Sequence, residues 1–146
     1  MMKPLCWSVL LLAGLAGCAA TPQARPQDPQ QGWQAPRDLG SLDGKWLQVD
    51  AGQEQPYRLE FHSGRVHASA GCNGLGGTAS LEHGQLKTGR LMSTLMACPP
   101  PLDERERGLS QILSGNPQLT LRGDHLQLQL GASRLEFQRT SSSPGG

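Results

Sequence analysis

The feature that most constrains the fold of this chain is a series of short runs in which apolar and polar residues alternate between glycine-rich turns. An alternation with a period of two places every second side chain on one face, which is typical of a half-buried β-strand. Residues 57–61 alternate without a break, residues 62–64 have the composition of a turn, and the alternation resumes over residues 66–70. These two runs are predicted to form a β-hairpin.

The last third of the chain repeats this pattern with leucine as its main apolar residue. Residues 119–121, 126–130 and 135–137 carry apolar side chains at every second position and are separated by glycine-containing turns. This arrangement predicts a three-stranded meander. Further strands are predicted over residues 45–50, 77–81 and 85–88.

One helix is predicted to interrupt the strands, over residues 101–114. Pro101 suits a first helical turn because its missing N–H would have no partner there, and Asp103 and Glu104 complement the positive end of the helix dipole. An apolar stripe on this helix consists of Leu102, Leu109 and Leu113. We therefore expect a mainly β (α+β) fold, in which one helix packs on a small twisted antiparallel sheet or cracked barrel.

Glu106 is predicted to lie at the edge of the apolar stripe, buried or half-buried. A carboxylate in that position needs hydrogen-bond donors. Arg90 and backbone N–H groups of the preceding loop are the candidates. We interpret Glu106 as a structural anchor, with a functional acid as the alternative.

The first residues of the chain have the composition of a secretory signal. Lys3 precedes an apolar stretch that ends in small residues before Cys18, and this stretch is too short to remain as a membrane span. The end of the stretch resembles the lipobox of bacterial lipoproteins, so we expect cleavage after residues 1–17 and an acyl anchor, including palmitate, on Cys18. Ala19 in place of Asp after the cysteine points to the outer membrane, facing the periplasm. A secreted protein without a lipid is the alternative.

The rest of the chain is predicted to contain one domain. Residues 18–40 are rich in Pro and Gln and bury little apolar surface, which is typical of an extended, lipid-anchored spacer. Residues 141–146 have the composition of a disordered tail. Residues 41–140 are enough for a single domain with one core.

Several function classes are excluded or disfavoured by the sequence. Without Lys3 the thirteen basic residues fall to twelve, which equals the acidic count, so a nucleic-acid partner is not expected. The four histidines have no metal-ligand spacing. Residues 74–79 match the residue pattern of a dinucleotide-binding motif, but a strand pattern follows them where that motif requires a helix. We expect no cofactor, no metal and no catalytic activity, and we expect a monomer. Met92 and Met96 are interpreted as filling a gap in the core.

Two cysteines remain once Cys6 leaves with the signal and Cys18 is acylated. Cys72 and Cys98 would then share an oxidising compartment, which favours a disulfide between them. Two buried free thiols that pack as small apolar residues are the alternative. A redox-active pair is disfavoured because the two cysteines lack the Cys-x-x-Cys spacing.

Several short motifs together resemble the META domain of the HslJ-like heat-shock lipoproteins, over roughly residues 42–139. The Gly-Cys-Asn turn at residues 71–73 and the Thr-x-Met-Ala-Cys loop at residues 94–98 are the most specific pieces, and residues 44–46 resemble the family's opening strand. The sequence departs from the family pattern at Gly74, Leu75 and Leu95. The motif residues that the resemblance marks as structural are Gly71, Asn73, Thr94, Met96, Ala97 and Glu106.

The resemblance implies a compact β-rich fold and a non-catalytic protein of the envelope. Bacterial members of the family are associated with heat-shock induction and antibiotic tolerance, so the first hypothesis is an envelope-stress lipoprotein that acts by binding an envelope protein or lipid. The alternative is a pilot or carrier lipoprotein that binds an acyl chain or an amphipathic peptide. A cavity lined by some of the leucines at positions 102, 109, 113, 126 and 128 would favour the carrier.

Overall fold

The computed structural model of the chain describes residues 32–49, 52 and 55–140. The predicted signal, the acylation site at Cys18 and most of the predicted spacer lie outside the described residues, as does the predicted tail at 141–146. These predictions remain untested by the structure.

Within the described residues, nine strands and one helix follow a 3-10 turn at Leu39–Leu42. The helix confirms the predicted helix, and the hairpin and the C-terminal meander are also present as expected. A two-residue strand just before the Thr-x-Met-Ala-Cys loop was not predicted, because two residues are too few to show a period. In chain order the elements are β1 (Gly44–Gln48), β2 (Arg58–His62), β3 (Arg65–Ser69), β4 (Gly74–Glu82), β5 (Gln85–Thr88), β6 (Met92–Ser93), α1 (Pro100–Ser114), β7 (Gln118–Arg122), β8 (His125–Leu130) and β9 (Ser133–Arg139).

Eight of the strands close into an antiparallel barrel. β1 pairs with both β2 and β9, and β3 pairs with both β2 and β4, so the sheet runs back to itself. The ring is weakest between β5 and β7, which share the single residue pair Gln85 and Gln118. β6 pairs with the first part of β4, beside β5.

The predicted small twisted sheet or cracked barrel is roughly consistent with the structure, in which the sheet closes fully. The mainly β fold with one packed helix is confirmed, but the β3–β4 and β1–β9 pairings leave the described barrel closed. The alternation of apolar residues shows which face of a strand is buried but not which strands are neighbours. Closure satisfies the backbone groups that free edge strands would expose.

The barrel interior is filled by side chains from every second strand position. Trp46, Phe61 and Phe137 are almost fully buried, and Leu109 and Leu113 carry the apolar face of α1 into the same core. The helix lies over the end of the barrel where β3 ends and β4 begins. We call this end the helix end.

The domain begins earlier than the boundary predicted at residue 41. Gln34 forms a backbone bridge with Leu121, and the Arg122 guanidinium lies 4.7 Å from the centre of the Trp33 ring. Pro36 is buried. Residues from Gly32 onward therefore pack on the barrel, and this contact accounts for Trp33, for which the sequence suggested no role.

Candidate functional site

The signature motifs meet at the helix end of the barrel. The Gly-Cys-Asn turn links β3 to β4, the Thr-x-Met-Ala-Cys loop links β6 to α1, and Glu106 lies on the second turn of α1. The structure brings these three segments into contact although they lie far apart in sequence. We call this group the signature cluster, which consists of Cys72, Asn73, Ser93, Thr94, Met96, Cys98 and Glu106.

Asn73 is the centre of the signature cluster. Its side chain is 6% exposed. Its Oδ1 accepts hydrogen bonds from Thr94 Oγ1 and from the Met96 backbone N–H, both at 2.8 Å. Its Nδ2 donates to the Met96 carbonyl at 3.2 Å and lies 3.1 Å from Cys98 Sγ. The amide therefore uses both its acceptor and its donors within the protein.

The Thr-x-Met-Ala-Cys loop is also held to the backbone of β4 through Thr94. Thr94 Oγ1 accepts a hydrogen bond from the Gly74 N–H, and the Gly74 carbonyl accepts one from the Thr94 N–H, each at 3.1 Å. The Thr94 hydroxyl thus donates to Asn73 and accepts from Gly74. A side chain with only one of these capacities could not replace it.

Glu106 is half-buried, and it accepts hydrogen bonds from two sides. Its Oε2 accepts from the Asn73 backbone N–H at 3.2 Å, and its Oε1 lies 3.0 Å from Ser93 Oγ. One of the expected kinds of donor, a backbone N–H, is thus present, but it comes from the Gly-Cys-Asn turn. Arg90 donates nothing to this carboxylate. Ser93 was not singled out from the sequence, because a lone serine beside a motif carries no distinct signal.

The predicted Cys72–Cys98 disulfide is present, and the two Cα atoms lie 6.0 Å apart. It joins the Gly-Cys-Asn turn to the residue that precedes the prolines at the start of α1. Gly71, just before it, has φ of +112°, and a Cβ there would clash with the Gln55 side chain. Glycine is therefore required at the turn.

Three large apolar side chains protrude beside the signature cluster. Met92, Leu95 and Met96 are 66%, 97% and 58% exposed. We call them the apolar loop. The interpretation of Met92 and Met96 as core-filling residues is wrong: Met96 serves the cluster through its backbone N–H and carbonyl, which leaves its side chain in solvent. Ala97 is exposed as well.

The cluster offers little to catalysis. Its polar atoms bond to one another, and its two sulfur atoms are joined in the disulfide. The part of the chain that the structure describes holds no group of three or more side chains suited to a metal ion. Within the same part, no helix has both the length and the apolar character needed to cross a bilayer.

The cavity that would favour an internal carrier site does not form at the leucines named for it. Leu109, Leu113, Leu126 and Leu128 are fully buried in the packed core. Leu102 is half-buried. Three pockets of the described surface are open grooves lined by other residues.

These features define a class: a small closed β-barrel module with one capping helix and a disulfide-stapled, hydrogen-bonded loop. The family model of the META domain matches residues 31–142. The chain belongs to the META domain family. The match begins at the N-terminal bridge of the barrel, in agreement with the start of the described domain.

Two solved structures are similar to the chain. An NMR structure of a protein from Burkholderia xenovorans has 24% identity and a TM-score of 0.58, and the match covers 80% of this chain and 99% of that chain. A second NMR structure has 22% identity and a TM-score of 0.58, and the match covers 69% of this chain and 93% of that chain. Both likenesses support the fold alone. A comparison with curated proteins finds no match.

Replacement of Glu106 by Ala should lower the free energy of unfolding by about 1 to 3 kcal/mol, because the Asn73 N–H loses its acceptor in a half-buried site. Denaturant unfolding of the two chains measures the difference. Glu104→Ala is the matched control, since Glu104 is an exposed carboxylate on the same helix. Equal effects of the two substitutions would show that the Glu106 bonds contribute nothing specific.

Proposed function

We propose that the protein is a non-catalytic lipoprotein of the bacterial outer membrane, anchored through Cys18, which supports the envelope under stress by binding. The observation that carries the proposal is that the residues of the signature cluster act on the loop and not on a ligand. Their polar groups hold the loop in place, and the same loop displays the apolar side chains of Met92, Leu95 and Met96 to solvent. A rigid, exposed apolar loop suits recognition of a partner.

Two further observations support an envelope location. The Cys72–Cys98 disulfide belongs in an oxidising compartment. The sequence before residue 18 has the features of a lipoprotein signal. The association with heat shock and antibiotic tolerance comes from the family resemblance, and it enters the proposal on that ground.

A pilot or carrier of an amphipathic peptide is the second candidate. It is favoured by the same exposed loop, since amphipathic segments bind through apolar anchors. An acyl chain held inside the barrel is disfavoured, because the interior is filled by the core side chains. A peptide that co-purifies with the protein and is lost with Leu95→Asp would favour this candidate.

The anchor can be tested by export of the full chain in a bacterial host that is fed labelled palmitate. We expect the label on the native chain, an N-terminus at residue 18, and recovery with the outer membrane. The matched control is Cys18→Ser, which keeps the signal but lacks the sulfur that is acylated. An unlabelled native chain in the soluble periplasmic fraction would contradict the proposal.

The same strains test the role under stress. In a host that lacks its own copy, the native chain should restore survival after a heat shock, and Cys18→Ser should restore less. Leu95→Asp should fail to restore survival although it remains anchored. Full rescue by Leu95→Asp would remove the apolar loop from the proposed function.

A further inference from the structure

The Gly-Cys-Asn turn ends in an Asn-Gly sequence, because Asn73 is followed directly by Gly74. An asparagine side chain can react with the backbone nitrogen of the next residue, and glycine permits this reaction best because it has no Cβ to hinder the approach. Gly74 is also one of the positions at which the sequence departs from the family pattern. The family resemblance therefore does not account for the Asn-Gly sequence at the start of β4.

The reaction of an Asn-Gly sequence is deamidation, and its steps balance with water as the one co-reactant. The Gly74 nitrogen attacks Cγ of Asn73, and a five-membered succinimide ring forms. The bond between Cγ and Nδ2 breaks, and the side-chain nitrogen leaves as ammonia with the proton that the Gly74 nitrogen has lost. Water then opens the ring at one of its two carbonyls, which leaves either aspartate or isoaspartate at position 73.

The closed signature cluster blocks this reaction at both reacting groups. Attack requires the Asn73 side chain to turn towards the Gly74 nitrogen, but its amide is held by contacts to Thr94, Met96 and Cys98. The Gly74 N–H donates to Thr94 Oγ1 at 3.1 Å, and Gly74 is paired with β3. Because Asn73 is only 6% exposed, little water reaches its amide.

The disulfide controls how often the cluster opens. Cys72 directly precedes Asn73, and Cys98 Sγ lies 3.1 Å from the Asn73 amide nitrogen. The crosslink therefore holds the turn and the loop together on both sides of the reactive amide. A reaction that needs an open segment proceeds at a rate set by the open population. Reduction of the disulfide, or heating, raises that population.

Neither product can rebuild the closed cluster. Aspartate has no side-chain N–H, so the Met96 carbonyl loses its donor. The new carboxylate also lies beside Glu106, whose Oε2 accepts a hydrogen bond from the backbone N–H of the same residue. Isoaspartate adds one carbon atom to the main chain and displaces the Gly74 N–H from Thr94. Unpaired polar groups and neighbouring like charges both favour the open loop.

We propose that Asn73 is a latent deamidation site, which converts a temporary opening of the signature cluster into a permanent one. In the closed, oxidised protein the amide is retained. Once heat or a thiol reductant opens the cluster, the Gly74 nitrogen reacts and the apolar loop stays released. This site is independent of the proposed function, because the reaction needs water and no binding partner.

The test follows deamidation of the exported full chain with Cys18→Ser, so that acylation does not affect the result. The chain contains two asparagines, and Asn116 is the internal control, because Pro117 has no N–H with which to close the ring. Samples are held at mildly alkaline pH below the unfolding midpoint. Peptide mapping by mass spectrometry then detects the replacement of the amide by an acid at residue 73.

We expect the oxidised chain to retain the Asn73 amide, and the reduced chain to lose it about tenfold faster or more. Thr94→Val keeps the disulfide and the fold but removes the acceptor of the Gly74 N–H. It should raise the rate about fivefold, as expected for the loss of one hydrogen bond. Equal rates in the oxidised chain, the reduced chain and Thr94→Val would overturn the proposal, as would an amide that is retained after reduction.

Gly74→Ala separates the chemistry from the opening. A Cβ at Gly74 meets nothing within 4 Å, so this variant should fold like the parent chain and open as readily after reduction. Because its Cβ hinders the attack, most of the deamidation at Asn73 should be lost. Undiminished deamidation in reduced Gly74→Ala would show that the ring does not form through this nitrogen, and would overturn the proposal.

Asn73→Asp tests the permanent release of the apolar loop, because it reproduces the aspartate product in an oxidised chain. Amide hydrogen exchange at residues 94–97 should be about tenfold faster than in the parent chain or more, since the loop has lost its side-chain donor. Exchange at the rate of the parent chain would show that the product still holds the loop. That result would overturn the permanent release.

Discussion

Cys98→Ser should unfold roughly 10 to 20 °C below the native chain under non-reducing conditions. The disulfide joins residues 26 positions apart, and a loop of that size corresponds to about 3 to 4 kcal/mol in the chain-entropy model. A domain of this size is stable by only about 5 to 15 kcal/mol, so the loss is a large fraction. Thermal unfolding followed by circular dichroism measures the midpoint.

A reductant provides the control for this prediction. It should lower the midpoint of the native chain to that of Cys98→Ser, and it should leave the variant unchanged. If the native chain and the variant unfold at the same temperature without reductant, the crosslink contributes no stability. Cys72→Ser should behave like Cys98→Ser, because either substitution opens the same loop.

Asn73→Ala should destabilise the protein by about 2 to 4 kcal/mol, because it leaves several part-buried polar groups without their partners. The Met96 N–H and carbonyl and the Thr94 hydroxyl all lose the side-chain amide. The apolar loop should become mobile at the same time. Denaturant unfolding measures the first effect, and amide hydrogen exchange at residues 94–97 measures the second.

Thr94→Val serves as the graded control for Asn73→Ala. It removes the hydroxyl that links Asn73 to Gly74 but leaves both bonds between Asn73 and Met96. Its cost should be about 1 kcal/mol, with little change in exchange at Met96. If Asn73→Ala costs no more than Thr94→Val, Asn73 is not the centre of the cluster.

Two of the three positions that depart from the family pattern lie at the surface beside the signature cluster. Gly74 and Leu95 are exposed, and Leu95 is the most exposed residue of the apolar loop, whereas Leu75 is buried in the core. The motif residues beneath them are engaged in internal bonds. The signature therefore serves as a scaffold that displays the apolar loop.

The sequence alone was sufficient for the local structure. Strand alternation, the proline-led helix and the leucine stripe each depend on neighbours within a few residues, so their elements were predicted closely. The cysteine pairing was also accessible, because Cys72 and Cys98 were the two cysteines left after the signal and the lipid were assigned. The META motifs gave the family from short, local patterns.

Only the tertiary structure decided which distant residues meet. Trp46 pairs with Arg139 to close the barrel, and Asn73 bonds to Thr94 and Met96 across 21 and 23 positions. Periodicity shows which face of a strand is buried, but it does not show which strand lies beside it or where a loop points. The signature cluster and the apolar loop depend on that three-dimensional register, and so they could not be read from the sequence.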